Sequence, residues 1–133
     1  MIVDTSALIS IALDEPEAPE FALALARNPG RISAATLLET SIVADRAGDP
    51  VVTRKFDDLL DRSSIEVMAF THRQAMIARQ AYRDFGKGSG HPAKLNLGDC
   101  FAYALAIDTG EPLLWKGDDF GHTGIASALP CEG

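Results

Sequence analysis

The chain is poor in cysteine, in basic residues and in long apolar runs, and each shortage excludes a class of protein. Only Cys100 and Cys131 occur among 133 residues, and they stand far from any C-x-x-C spacing, so neither a thiolate metal site nor a disulfide framework is expected. The most apolar stretches, residues 7–13 and 101–107, end well short of the ~20 residues of a membrane span, and no membrane partner is expected. The opening Met1-Ile2-Val3-Asp4 has no basic leader region and no small-residue cleavage site, which predicts a cytoplasmic protein. A net charge of −7 argues against non-selective coating of nucleic acid, because phosphate contacts need Lys and Arg.

The basic residues that are present cluster. Arg73, Arg79, Arg83, Lys87 and Lys94, five of the twelve Lys and Arg, fall in residues 73–94, where Asp84 is the only acid. Such a strip is compatible with selective RNA binding, although spaced arginines on a solvated helix face are the commoner case. With 47% hydrophobic residues, 133 residues make one domain, 1–133, able to bury most of its apolar surface.

Short apolar runs alternate with helical patterns. Ile2-Val3 reads as a strand ending in Asp4-Thr5-Ser6, where Thr or Ser would cap a helix through Ala12. Residues 17–28 form a second helix, residues 31–33 a strand, and residues 36–47 and 51–61 two further helices. Residues 64–68 alternate like a strand, Thr71 caps a long helix to Phe85, and residues 86–92 are a Gly-rich flexible loop. Residues 96–109 are apolar on nearly every face, as in a buried central helix, and residues 113–115 form a strand, with a last short one at Ile125-Ala126. The pattern predicts an α/β fold: a three-layer α/β/α sandwich around a mainly parallel sheet of four to five short strands.

In open α/β sheets, sites lie at the carboxyl ends of the strands, and there the acids gather. Asp4, Glu39 and the pair Asp118-Asp119 each follow a proposed strand, and Asp99 opens the helix before the last of these. Each has an ordinary structural role available. Asp4 suits a helix N-terminus, Thr36-Leu37-Leu38-Glu39 and Asn96-Leu97-Gly98-Asp99 both fit the spacing of a capping box, and Asp118-Asp119 fits a turn. Capping does not require acids to follow several strands on one edge. Clustered carboxylates repel unless protonated, solvated or bridged by a cation, and hard oxygen ligands suit Mg²⁺ or Mn²⁺. Metal-assisted hydrolysis of a phosphate ester is the chemistry this pattern favours, with one acid free to orient water as general base.

The opening Met1-Ile2-Val3-Asp4-Thr5-Ser6-Ala7-Leu8, the Glu39 helix, Leu95-Asn96-Leu97-Gly98-Asp99-Cys100-Phe101 and Lys116-Gly117-Asp118-Asp119-Phe120 together resemble the PIN domain, and more narrowly the VapC toxins of bacterial toxin-antitoxin pairs. The resemblance runs through the whole chain in order. It implies an Mg²⁺-dependent endoribonuclease, with Mn²⁺ able to substitute, held inactive by a cognate VapB-type antitoxin and pairing as a homodimer. Carried over by position, Asp4 and Asp99 become the principal metal ligands, Glu39 the third acid and Asp119 the fourth, with Asp118 as its fallback. Ser6 and Asn96 would support the site by hydrogen bonds, and Lys87, His91 and Lys94 would hold the RNA backbone. Helices within residues 7–26 would serve mostly as core, with an exposed rim for the antitoxin. One departure is Gly124, where relatives commonly place an acid; weakened or altered binding of a second metal is the most that should follow, not loss of activity.

Two other readings compete with this one. A receiver-like Mg²⁺-binding signalling module also has an acidic pocket and a Lys after a late strand, here Lys116, but needs a phosphorylatable Asp after a central strand, and residues 65–71 supply none. A non-catalytic PIN-like binding protein would have no need to keep all four acids.

Overall fold

The computed structural model describes residues 1–130, so Cys131 lies outside the described residues. The elements in order are β1 (Ile2–Val3), α1 (Thr5–Ala12), α2 (Ala18–Arg27), β2 (Arg31–Ser33), α3 (Ala34–Arg46), α4 (Pro50–Arg62), β3 (Glu66–Met68), α5 (His72–Phe85), α6 (Leu97–Thr109), β4 (Leu113–Leu114) and a 3₁₀ turn, Phe120–Thr123. The four strands form one parallel sheet in the order β3-β2-β1-β4.

Strand alternation builds the layers. Val3, Ile32 and Leu114 face a core completed by Leu8 of α1, Phe21 and Leu25 of α2 and Phe56 of α4. Ile2 and Leu113 point the other way, onto Ala78 and Ala81 of α5 and Ala102 and Leu105 of α6. A fully buried Leu or Ile stabilises by about 1.5–3 kcal/mol, so strands of two residues are held mainly by the helices that cover them. The three-layer α/β/α architecture expected from the sequence is therefore present.

The strand order positions the site. The chain winds from β1 outward through β2 to β3, then returns through α5 and α6 to place β4 on the other side of β1. Windings of opposite sense leave a crevice beyond the carboxyl ends of the two strands where the order reverses, and here those are β1 and β4. Asp4 follows β1 directly, and its N–H donates to the Leu114 carbonyl at 3.0 Å.

Several local expectations are corrected. The 64–68 strand is an edge strand, not a central one, because the second crossover continues outward from β2; Val67 stands half exposed. Ile125 and Ala126 form no strand: the pairing at that edge is a lone parallel bridge between Leu113 and Ser127. Helix α6 is only partly enclosed, since Leu97 and Ile107 are exposed. Helices α1 and α2 are mostly core, with Ala7, Leu8, Phe21 and Leu25 buried and Leu13 and Leu23 left open as a rim. The Gly-rich segment is fastened at its neck, where Lys87 N–H donates to the Leu95 carbonyl and Leu95 N–H to the Phe85 carbonyl.

Candidate active site

Asp4 is buried and caps α1, its Oδ2 accepting from the Ser6 N–H at 3.0 Å and the Ser6 hydroxyl at 2.6 Å. The other oxygen, Oδ1, is buried with no hydrogen-bond partner. A buried carboxylate oxygen without a donor is costly, and burial favours the neutral form of the side chain. Desolvation pushes its pKa from 3.8 up to about 7 against the opposing Ser6 hydrogen bonds, and the charges of Asp99 and Glu39 push it further the same way. Asp4 thus fills its ordinary capping role through Oδ2 while Oδ1 remains available.

Glu39 departs from the capping role that its spacing suggested. Ser33, the last residue of β2, caps α3 by accepting from the Ala35 N–H at 3.2 Å, so Thr36 lies inside the helix and Glu39 is one turn further along. Its carboxylate instead accepts from the Thr5 hydroxyl at 2.7 Å, across 34 positions of sequence, and Thr5 also meets Thr40 at 2.8 Å. The same carboxylate rests on Gly98 at the start of α6, where a Cβ would collide with it.

Asp99 does form its capping box. Asn96 Oδ1 accepts from the Asp99 N–H at 2.8 Å, and Asp99 Oδ2 accepts from the Asn96 N–H at 3.0 Å. Burial raises the Asp99 pKa, the Asn96 N–H counteracts it, Asp119 and Glu39 add to the rise, and Lys87 lowers it. Asp118 and Asp119 are both exposed beyond β4; of the two, it is Asp119 whose charge acts on Asp99.

Asp4, Ser6, Glu39, Asn96 and Asp99 line one open depression of about 320 Å³, together with Thr5, Glu15 and Lys116. Lys87, His91 and Lys94 line a different one, of about 580 Å³, in the Gly-rich loop. His91 is partly committed to that loop, its Nδ1 accepting from the Ala93 N–H at 3.1 Å and its ring lying 4.8 Å from Phe85. Asp119 stands outside both linings.

Sequence reasoning did not assign Thr5, Glu15 and Lys116, which help line the depression, or Gly98, which lies against the Glu39 carboxylate, to the site. The Lys116 N–H donates to Ser6 Oγ at 2.9 Å, which itself donates to Asp4, so β4 and α1 are tied through one hydroxyl. The Lys116 ammonium turns away to pair with Glu15 and with Glu17, 3.5 Å distant. The only local signal for these four was proximity in sequence to an acid or a strand end.

Among the described residues, no three His, Cys, Asp or Glu side chains converge closely enough to hold a metal ion as they stand. The carboxylates are instead turned to their own neighbours, Asp99 to Asn96 and Glu39 to Thr5. What fits a cation is the donor set: the orphaned Asp4 Oδ1, two further carboxylates that raise its pKa by repulsion, and hard oxygen throughout. Cys100 is buried, with its thiol pushed up to about 12 chiefly by desolvation, and offers no thiolate.

A family model described as PIN domain matches residues 1–126. Ribonuclease VapC28 of Mycobacterium tuberculosis is 58% identical over 130 residues, covering 97% of this chain and 98% of that protein. Ribonuclease VapC42 of the same species is 51% identical over 129 residues, covering 96% and 98%. Among solved structures, M. tuberculosis VapC20, a toxin that cleaves the sarcin-ricin loop, superposes with a TM-score of 0.72 at 18% identity, covering 97% of this chain and 98% of that one. A toxin-antitoxin complex from Klebsiella pneumoniae gives 0.66 at 19% identity, covering 98% of each chain. At these identities the two structures speak for the fold.

Proposed function

The chain belongs to the PIN domain family, among its VapC ribonucleases, and from that premise we propose that it is the toxin of a toxin-antitoxin pair, an endoribonuclease that hydrolyses RNA phosphodiester bonds at the depression between β1 and α6. The observation that carries the reading is the buried Asp4 with one unpartnered oxygen, facing the charges of Asp99 and Glu39 at the crevice where the strand order reverses.

Asp4 and Asp99 are the proposed ligands of a divalent cation, Mg²⁺ with Mn²⁺ able to substitute. Bound there, such a cation supplies charge neutralisation to the carboxylates and Lewis acidity toward a phosphodiester. Ser6 fixes the Asp4 carboxylate through two hydrogen bonds, and Asn96 fixes Asp99 through the capping box. Glu39, held by Thr5, is the carboxylate that orients the attacking water and accepts its proton. Asp119 acts on the site through Asp99 and is its fourth acid. Lys87 and Lys94, exposed on the Gly-rich loop, receive the RNA backbone, with His91 shaping the loop between them.

A VapB-type antitoxin is the proposed inhibitory partner, and the Leu13 and Leu23 rim of α1 and α2 supports a place for it. Pairing as a homodimer is supported by Leu38, Ile42 and Val43, apolar side chains left open along α3. The cytoplasm is the proposed location; among the described residues no helix is long and apolar enough to cross a membrane. The receiver-like alternative loses its premise, since the strand that would carry the phosphorylated Asp is an edge strand.

Induced expression in a bacterial host tests this reading. Growth arrest with fragmentation of cellular RNA is expected of wild type and absent from Asp4→Asn. Arrest that survives Asp4→Asn would assign the toxicity to something other than this site.

A further inference from the structure

Among the described residues that line the acidic depression, Lys116 is the one cation. Its main chain is fixed into the site by the N–H donated to Ser6 Oγ, one residue removed from the carboxyl end of β4 by Trp115. Of the acids in the lining, its side chain pairs with Glu15 and not with Asp4, Glu39 or Asp99. Asp4 feels Asp99 and Glu39 rather than Lys116, and the cation that lowers Asp99 is Lys87. The ammonium is occupied by Glu15 and Glu17, on the turn between α1 and α2, with all three side chains partly exposed.

An ammonium on a flexible four-carbon stem, at the rim of a site that must accept a polyanion, is held here by carboxylate oxygens standing where phosphate oxygens would. The need for it is electrostatic. A chain of net charge −7 with four carboxylates around one depression repels RNA unless a cation at the rim offsets them. Resting on the ribonuclease reading, we propose that Lys116 is a substrate-binding residue that takes a backbone phosphate of the RNA beside the cut, exchanging Glu15 and Glu17 for it. The two glutamates then compete with RNA, and their charge sets how tightly RNA is held. Because these pairs stand partly open to water, Lys116 can leave them at small cost; neutralising the glutamates removes that cost and favours RNA, and neutralising Lys116 opposes it.

The test uses the full chain with a fluorescein-labelled single-stranded RNA of mixed sequence, followed by anisotropy in EDTA across a salt series. Fragmentation of total cellular RNA with Mg²⁺ or Mn²⁺, at RNA below saturation, is read in parallel for the same fold-changes. Wild type that neither binds nor fragments RNA contradicts the ribonuclease reading itself. With wild type active in either readout, Lys116→Gln is expected to weaken it about tenfold and Lys116→Arg to retain most of it. The salt dependence should flatten by about 0.7 in log–log slope, the loss of one phosphate contact to a single strand. Glu15→Gln with Glu17→Gln is expected to tighten binding about threefold in wild type and to do nothing in the Lys116→Gln background, the signature of direct coupling. Unchanged binding and slope in Lys116→Gln would overturn the inference. So would tightening by the glutamine pair that persists without Lys116, which marks a general charge effect. If Lys116→Gln fails to fold, Lys116→Met takes its place in each comparison, the coupling with the glutamine pair included.

Discussion

The Glu39 carboxylate rests on Gly98, so that helices α3 and α6 meet where only a hydrogen atom fits on the second of them. This contact brings an acid from the middle of α3 beside Asp99, one residue beyond Gly98. A side chain at 98 would leave the sheet and both cores untouched and would move the carboxylate.

Gly98→Ala therefore separates activity from stability. Glu39 is flexible enough to give way, and alanine in a helix is worth about 0.5–1 kcal/mol over glycine, so the melting temperature should hold or rise. RNA cleavage should fall by one to two orders of magnitude, roughly the cost of a displacement near 1 Å at a reacting centre. Melting curves and initial rates on the same preparation check this; a stable variant of full activity would remove Glu39 from the mechanism.

The raised pKa of Asp4 makes the metal-free protein sensitive to pH. Between 3.8 and about 7 the native carboxyl binds a proton that the unfolded one has released, so stability falls as pH rises through that window. Denaturant titrations in EDTA at pH 5 and pH 8 should show the loss, and Asp4→Asn should flatten it. A variant with the wild-type slope would mean that Asp4 is not the group responsible.

A divalent cation should reverse that loss. Added Mg²⁺ or Mn²⁺ at about one hundred times its dissociation constant stabilises a protein that binds it only when folded by about 2.7 kcal/mol. Thermal unfolding at pH 8 should show the shift in wild type and little of it in Asp4→Asn or Asp99→Asn. Comparable shifts in all three would place the ion elsewhere.

Gly124 has a positive φ of 78° and no atom within 4 Å of the position a Cβ would take. Gly124→Asp is expected to cost about 1 kcal/mol through the left-handed backbone, and its carboxylate would project into open space. Divalent-ion titration should give wild-type affinity. A marked tightening would restore the role that the resemblance assigns to an acid there.

The parts of this molecule legible in the sequence are those governed by neighbours along the chain. Thr71 caps α5 as its position suggested, its hydroxyl accepting from the Gln74 N–H, and Asn96 closes its box with Asp99. Ser33 both ends β2 and caps α3, so a capping box read from Thr36 starts the helix too late and hides the release of Glu39. The edge position of β3 follows from the direction of a crossover, which leaves no local mark. Thr5 on Glu39, Gly98 under the same carboxylate and Lys116 on Glu15 join residues far apart in the chain, and they appear only once the strands are ordered.

The most direct measurement is cleavage of total RNA by purified, antitoxin-free protein with Mg²⁺ or Mn²⁺, with EDTA, and with Asp99→Asn in place of wild type. The account predicts discrete fragments that require the metal and vanish in the variant. Folded wild-type protein that leaves RNA intact with either metal, or fragments that persist in EDTA or in Asp99→Asn, would contradict it.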